Sequence, residues 1–262
     1  MTGRLRYSSV GSGSEGNALV IEALASGRAT RVMLDCGFGV RELGRRLEAR
    51  GIDPASLDAV LITHEHGDHG AGAARFARRY RVPVYSSHGT GMALRLNEEA
   101  DVDWRVLCSH TAFALGDLQI TPFPVPHDAR EPTQFTFSDG RSKLGVLTDA
   151  GSITACILAM LAGCDGLVLE CNHDPDLLAG SAYPSSVRRR IAGDYGHLSN
   201  GTAARILASI DRSHLKRLHA AHLSRQNNRA ELAAGALAEV LGCTAAEIEI
   251  ADQENGFAWV EL

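Results

Sequence analysis

The run Thr63-His64-Glu65-His66-Gly67-Asp68-His69 follows directly on the apolar stretch Leu57-Asp58-Ala59-Val60-Leu61-Ile62. Three histidines and an aspartate therefore fall within six positions at the end of a β-prone segment. A turn at that point can aim all of them into one space. Imidazole and carboxylate are the ligands preferred by zinc and its first-row neighbours. With isolated His and Asp residues further along, they suffice for two divalent ions, and a two-metal site most often serves hydrolysis.

The rest of the composition narrows the setting of that site. A chain of 262 residues with no composition break is expected to form one domain over residues 1–262. A net charge of −5 argues against a protein that coats nucleic acid non-specifically. A nuclease stays open, because bound dications reverse the local sign where a phosphate sits. No apolar run approaches the length of a membrane span, and Met1-Thr2-Gly3-Arg4-Leu5-Arg6-Tyr7 lacks the apolar stretch of a signal peptide. The expectation is a cytoplasmic protein without membrane contact. Six cysteines without a CxxC pair read as reduced, mostly buried thiols.

Strand and helix signals alternate along the chain. Residues 31–36 read as a strand ended by Gly37 and Gly39, and 41–50 as a helix with Leu43 and Leu47 on one face. A second helix is expected over 71–80, stopped before Pro83. Residues 118–125, 134–138 and 143–148 read as strands, the last two joined through Asp139-Gly140 as a hairpin. Then come a helix over 153–161, strands at 167–169 and 215–220, a helix over 228–241, and strands at 247–250 and 257–260. This order suits an α/β architecture of two facing mixed sheets with helices outside, the His/Asp residues emerging from loops along one edge.

The His-x-His-x-Asp-His run after a strand resembles the metallo-β-lactamase-fold hydrolases. Further matches fall in that family's order: His127, Asp149 within Leu147-Thr148-Asp149-Ala150-Gly151, and His222 within Ala221-His222-Leu223-Ser224. The resemblance implies a four-layer αβ/βα sandwich. It also implies one metal site from His64, His66 and His127, a second from Asp68, His69 and His222, and Asp149 bridging the ions. Such a bridge suits a shared hydroxide as nucleophile, with Asp68 placed to orient it. Glu65 is read as turned away from the ions. Zinc or manganese is expected, with iron as a further candidate.

Local wording separates the branches. His66 stands where oxygen-reducing members carry Glu, and Asp149 where zinc β-lactamases commonly carry Cys. Val125-Pro126-His127-Asp128-Ala129-Arg130-Glu131-Pro132 departs from the Gly-His-Thr wording of the glyoxalase II type. It is similar to the YycJ (WalJ) branch instead, as are residues 11–17, 169–174, 196–200 and 223–228. A departure from that branch is Glu15, where a small polar residue is commoner.

The resemblance implies exonuclease activity on DNA from the 5′ end, and DNA as partner. By analogy with related tRNA-processing nucleases, His197 would protonate the leaving oxygen and Glu170 would orient it. Asn17, Asn172 and His173 are candidates for phosphate contact. Ser199 or Asn200 would cap a helix opening at Ala203 near the bound anion. Of the basic run Arg188-Arg189-Arg190, one or two residues can face a strand, with Arg188 the first candidate. A small-molecule phosphodiesterase, or a thioester or lactone hydrolase, is the alternative on the same centre.

Overall fold

The computed structural model describes residues 4–25 and 28–262, so Met1, Thr2 and Gly3 of the N-terminal stretch read above lie outside it. One sheet begins with β1 (Arg4–Gly11), β2 (Ala18–Ala25), β3 (Arg28–Leu34), β4 (Ala59–Leu61), β5 (Val84–Ser86) and β6 (Trp104–Val106). The chain then builds a second sheet from β7 (Phe113–Leu115), β8 (Leu118–Pro124), β9 (Thr133–Ser138) and β10 (Lys143–Leu147). That sheet continues with β11 (Gly166–Glu170), β12 (Arg217–Ala221) and β13 (Glu249–Ile250). Finally β14 (Phe257–Glu261) returns to pair with β1, giving two seven-stranded sheets. Each mixes parallel and antiparallel pairs.

Three apolar clusters fill the spaces between layers. The side chains of Leu5, Tyr7, Ile21 and Val32 meet Ile120, Phe135, Phe137 and Val168 between the sheets. Their neighbours in the same strands, Val20 and Met33, point the other way, towards the helices α1 (Val40–Ala49) and α3 (Ala73–Tyr80), with the short α2 (Gly67–Gly70) and α4 (His88–Ala93) following β4 and β5. This is the two-residue period of a strand with both faces covered. Behind the second sheet lie α5 (Ala155–Leu161), α8 (Asn200–Ser209) and α9 (Ala230–Leu241), while α6 (Pro175–Ala179) and α7 (Ser185–Ile191) fall between β11 and α8 in the chain. Of these, α5, α8 and α9 supply a third cluster. The four-layer αβ/βα sandwich is therefore present. Among the described residues no helix is long and apolar enough to cross a membrane.

Local chemistry explains the boundaries. In α1, Leu43 and Leu47 are fully buried, each worth about 1.5–3 kcal/mol. Helix α3 ends as Arg81 turns left-handed (φ 57°), two residues before Pro83. Asp139 Oδ1 accepts from the amides of Arg141 and Ser142 at 2.9 and 2.8 Å, closing the expected hairpin. The expected 31–36 strand stops at Leu34 because Asp35 is left-handed (φ 64°). The helix expected at Ala203 opens at Asn200, since Ser199 is already its cap. Three cysteines are buried (Cys36, Cys164, Cys171), whereas Cys108 and Cys156 are exposed, so the thiols are less uniformly buried than expected.

Candidate metal centre

Parallel pairing sets where the site lies. Strands β10, β11 and β12 run parallel, and so do β3, β4 and β5. Asp149, Glu170 and His222 thus sit at the carboxyl ends of three neighbouring strands, where ligands gather in open α/β sheets. The His64–His69 loop follows β4 on the facing sheet. Asp35, Asp149 and His222 all have left-handed backbones (φ 64°, 52° and 54°), three of the five such non-glycine residues described. Asp and His adopt this region more readily than most residues, and such turns concentrate at functional sites.

Four overlapping groups of side chains converge there, the ligand atoms of each within 4.8 Å of one another. They are His64, His66 and His127; Asp68, His69 and His222; His64, His69 and Asp149; and Asp149, Glu170, His197 and His222. His127 Nδ1 donates to Gly196 O at 2.9 Å, leaving Nε2 unprotonated, 3.2 Å from His66 Nδ1. His69 Nδ1 lies 2.8 Å from Asp35 Oδ2, and its Nε2 faces Asp149 Oδ2 at 2.8 Å and Asp68 Oδ2 at 3.4 Å. His222 Nε2 lies 3.3 Å from Asp68 Oδ2. Glu65 does point away, its Oε1 accepting from Arg130 N at 2.8 Å.

These residues fit a cation. His64 Nε2 and Asp149 Oδ2 are buried without a hydrogen-bond partner, although His69 Nε2 stands 2.8 Å from that oxygen. Close approach without hydrogen-bond alignment is how two ligands face a common ion. Left unmatched, each buried polar atom costs about 1–3 kcal/mol.

Electrostatics divides the histidines into two kinds. Burial, aided by the charge of His69, holds His64 well below its usual pKa, so it is neutral and able to ligate. Burial also lowers His127. Around His222 burial opposes charge, but Asp149 and Asp68 outweigh it and raise the pKa to about 9, a pull on positive charge that a bound cation would take over from the proton. His197 lies 2.8 Å from Glu170 Oε1 and 3.1 Å from Asp149 Oδ1 through its Nδ1. Burial opposes its charge too, yet the two carboxylates raise its pKa to about 10. Burial pushes Asp149 upward, but His222 and His69 hold it well below the usual carboxylate range.

Reasoning from sequence missed Asp35. Its Oδ1 accepts from both Thr63 N and Thr63 Oγ1, at 2.8 and 2.9 Å, while Oδ2 fixes His69. An aspartate at a strand end before Gly37 was the available signal. Partners of this kind typically contribute 10- to 100-fold in metal affinity, so Asp35→Asn is expected to weaken metal binding by about that factor. Competition with a chromogenic chelator measures it, and unchanged affinity would deny Asp35 this part. Asp128 was also missed: Oδ1 lies 3.7 Å from His66 Nε2, and Arg190 forms an ion pair with the carboxylate.

The substrate candidates land differently. Asn17 directs its amide inward, Nδ2 donating to Gly13 O and Asp68 O at 3.0 and 3.2 Å. Asn172 Nδ2 donates to His222 O at 3.1 Å, and Ser199 Oγ caps α8 by accepting from Thr202 N. All three brace the site from within the protein. Glu15 leaves its turn intact and pairs with Arg225 at 2.8 Å. His173 and Arg188 line a cavity beside the centre. The basic run divides, with Arg190 on Asp128 and Arg188 donating to Ala179 O.

One close approach has a measurable consequence. A Cβ on Gly37 would meet Asp68 O at 1.8 Å, where the Asp68 carbonyl also accepts from Asn17 N. Gly37→Ala must push the ligand loop aside, which is expected to cost about 1–3 kcal/mol. A thermal melt beside wild type reads this, and an unchanged Tm would show that the loop yields freely.

Comparison with known proteins adds to this geometry. Residues 30–222 match the model of the beta-lactamase superfamily domain. The chain is 32% identical to the exodeoxyribonuclease YycJ of Bacillus anthracis, over 90% of its own length and 89% of that protein's. It is 31% identical to the exodeoxyribonuclease WalJ of Streptococcus pneumoniae, over 87% and 85% of the two chains. Among solved structures, the metallo-beta-lactamase fold protein YhfI from Bacillus subtilis superposes with a TM-score of 0.75. That match covers 99% of this chain and all of the other at 17% identity, a likeness of fold.

Proposed function

The chain belongs to the beta-lactamase superfamily, in the family of the exodeoxyribonucleases YycJ and WalJ, and from this we propose that it removes nucleotides from the 5′ end of DNA. It is a metal-dependent hydrolase. The observation that carries the phosphodiester reading is the pairing of half-buried His197 with buried Glu170, 2.8 Å apart beside the ligand cluster. A departing sugar oxygen is a strong base that needs a proton, whereas a departing thiolate does not. An acid held in its protonated form at this place therefore supports phosphodiester over thioester cleavage.

In this reading His64, His66 and His127 hold one ion, Asp68, His69 and His222 the other, and Asp149 is shared. The histidine-rich set suits zinc, and the carboxylates admit manganese. Two such ions, when bound, neutralise the phosphate and lower the pKa of a coordinated water from about 15.7 towards roughly 7. Asp68, held beside His69 and His222, accepts a hydrogen bond from the attacking water and orients it. Glu170 Oε1 takes the Nδ1 proton of His197 in a hydrogen bond, so the opposite nitrogen, Nε2, delivers its proton to the leaving oxygen. The Ala150 amide donates to Glu170 Oε2 at 2.9 Å and keeps that carboxylate in place. Asp35 holds His69 in the tautomer whose Nε2 is free to ligate.

The test is a time course on double-stranded DNA labelled separately at its 5′ and 3′ ends, with Mn²⁺, Zn²⁺ or chelator. Early release of labelled mononucleotide from the 5′ end, abolished by chelator, is the expected result. Protein that holds its ions yet cuts neither end would overturn the reading.

A further inference from the structure

Between α6 and α7, beside the centre, lies a cavity of about 360 Å³ to which the proposed reaction gives no part. Its lining includes His173, Leu178, Ala179, Ser185, Arg188 and Arg189. We propose that this cavity seats the base and sugar of the 5′-terminal nucleotide and, after cleavage, the released nucleoside monophosphate. The assignment rests on the exonuclease reading for its substrate strand, and on four independent features for its chemistry.

The first is a buried polar atom without a partner. His173 is 3% exposed, and its Nδ1 makes no hydrogen bond. Burial holds the ring below its usual pKa, so it stays neutral, with one donor and one acceptor nitrogen. The ring nitrogen open to the cavity, donor or acceptor by tautomer, finds its partner on a nucleobase edge in either state. An aliphatic ligand supplies no such partner.

Size and walls come next. Small-molecule sites span about 300–1,000 Å³, so this cavity admits one nucleotide and excludes a duplex. Leu178, Ala179 and the neighbouring Pro175 and Ala192 are aliphatic, which suits the faces of a base and a deoxyribose. A bare anion would find little to bond there.

Charge at the rim completes the match. Arg188 reaches from α7 to donate to Ala179 O at the end of α6, which sets its guanidinium across the gap. Arg189 is exposed and, among the described residues, makes no ion pair. A planar guanidinium lies flat on a base or forks onto a phosphate, and either use fits a terminal nucleotide.

Position ties the cavity to the chemistry. The His173 carbonyl accepts from Asn200 N at 2.9 Å, and His173 is bridged to Ser199, two residues beyond His197. The adjacent Asn172 holds the His222 carbonyl. The wall that carries His173 is therefore continuous with the acid and with the ligand cluster. A terminal nucleotide seated there turns its 3′-oxygen, the leaving group, towards the acid, while the phosphate under attack is that of the following nucleotide.

Calorimetric titration of the metal-loaded protein with dAMP, and separately with inorganic phosphate, tests the assignment without turnover. The variants are Ala179→Phe, which fills the cavity from an exposed position, and Arg189→Gln, which removes one rim charge. Wild type should bind dAMP about tenfold more tightly than phosphate, and Ala179→Phe should erase that margin while phosphate affinity stays the same. Arg189→Gln should weaken dAMP about threefold or more, the scale of an exposed charged contact. Wild type that prefers dAMP no more than phosphate would overturn the proposal. So would folded Ala179→Phe that binds dAMP as wild type does. Cavity-dependent dAMP binding in a protein that releases no nucleotide from DNA would support the seat and overturn the exonuclease reading instead.

Discussion

Asp149→Ala is expected to strip at least one ion from the centre and lower DNA hydrolysis by about 10³-fold or more, the rate equivalent of losing several kcal/mol of charge stabilisation. Asp149 is buried, carries an orphan oxygen, and lies within reach of His69, His197 and His222. No neighbouring water can replace its charge at that depth. Its backbone is left-handed, so alanine adds strain of its own. Asp149→Asn separates the two effects, because asparagine tolerates this conformation and only the charge is lost. Elemental analysis of metal per chain, beside the end-labelled assay, reads the outcome. Two retained ions and a wild-type rate in the Asn variant would remove Asp149 from the centre.

His197→Ala should behave differently, with metal content kept and turnover about 10²–10⁴-fold slower, the usual contribution of a positioned acid. The pH dependence carries the sign. His197 works as an acid only while protonated, so the rate falls as pH rises through its pKa, which Glu170 holds above the ordinary histidine range. Glu170 contributes to that elevation, and Glu170→Gln takes its negative charge away. The alkaline limb of the kcat profile should then move to lower pH with metal content unchanged. Full activity of His197→Ala at an unchanged pH optimum would rule out the acid assignment.

Much of the site was legible in the chain because its signals are local. Ligands packed into His64–His69 need no distant segment to be recognised, and Asp149 and His222 each close a β-prone run whose end is visible in the residues themselves. The hairpin at Asp139-Gly140 and the helical face of Leu43 and Leu47 follow the same logic. Asp35 escaped notice because its meaning lies in Thr63 and His69, about thirty residues away. Asn17 and Asn172 were candidates for phosphate contact, and their bonding partners within the protein were hidden because polar turn residues look alike in sequence. Both turn inward, onto the backbone carbonyls of Asp68 and His222.

The linear order of residues thus determined the candidate metal ligands, the alternation of strands and helices, and the family, since all three rest on composition at short range. Tertiary structure alone decided which arginine meets Asp128, which carboxylate steadies His69, and that α6 and α7 stand apart over His173. Those are contacts between segments tens of residues apart. Their geometry is set by how two sheets and their helices pack, which no local pattern encodes.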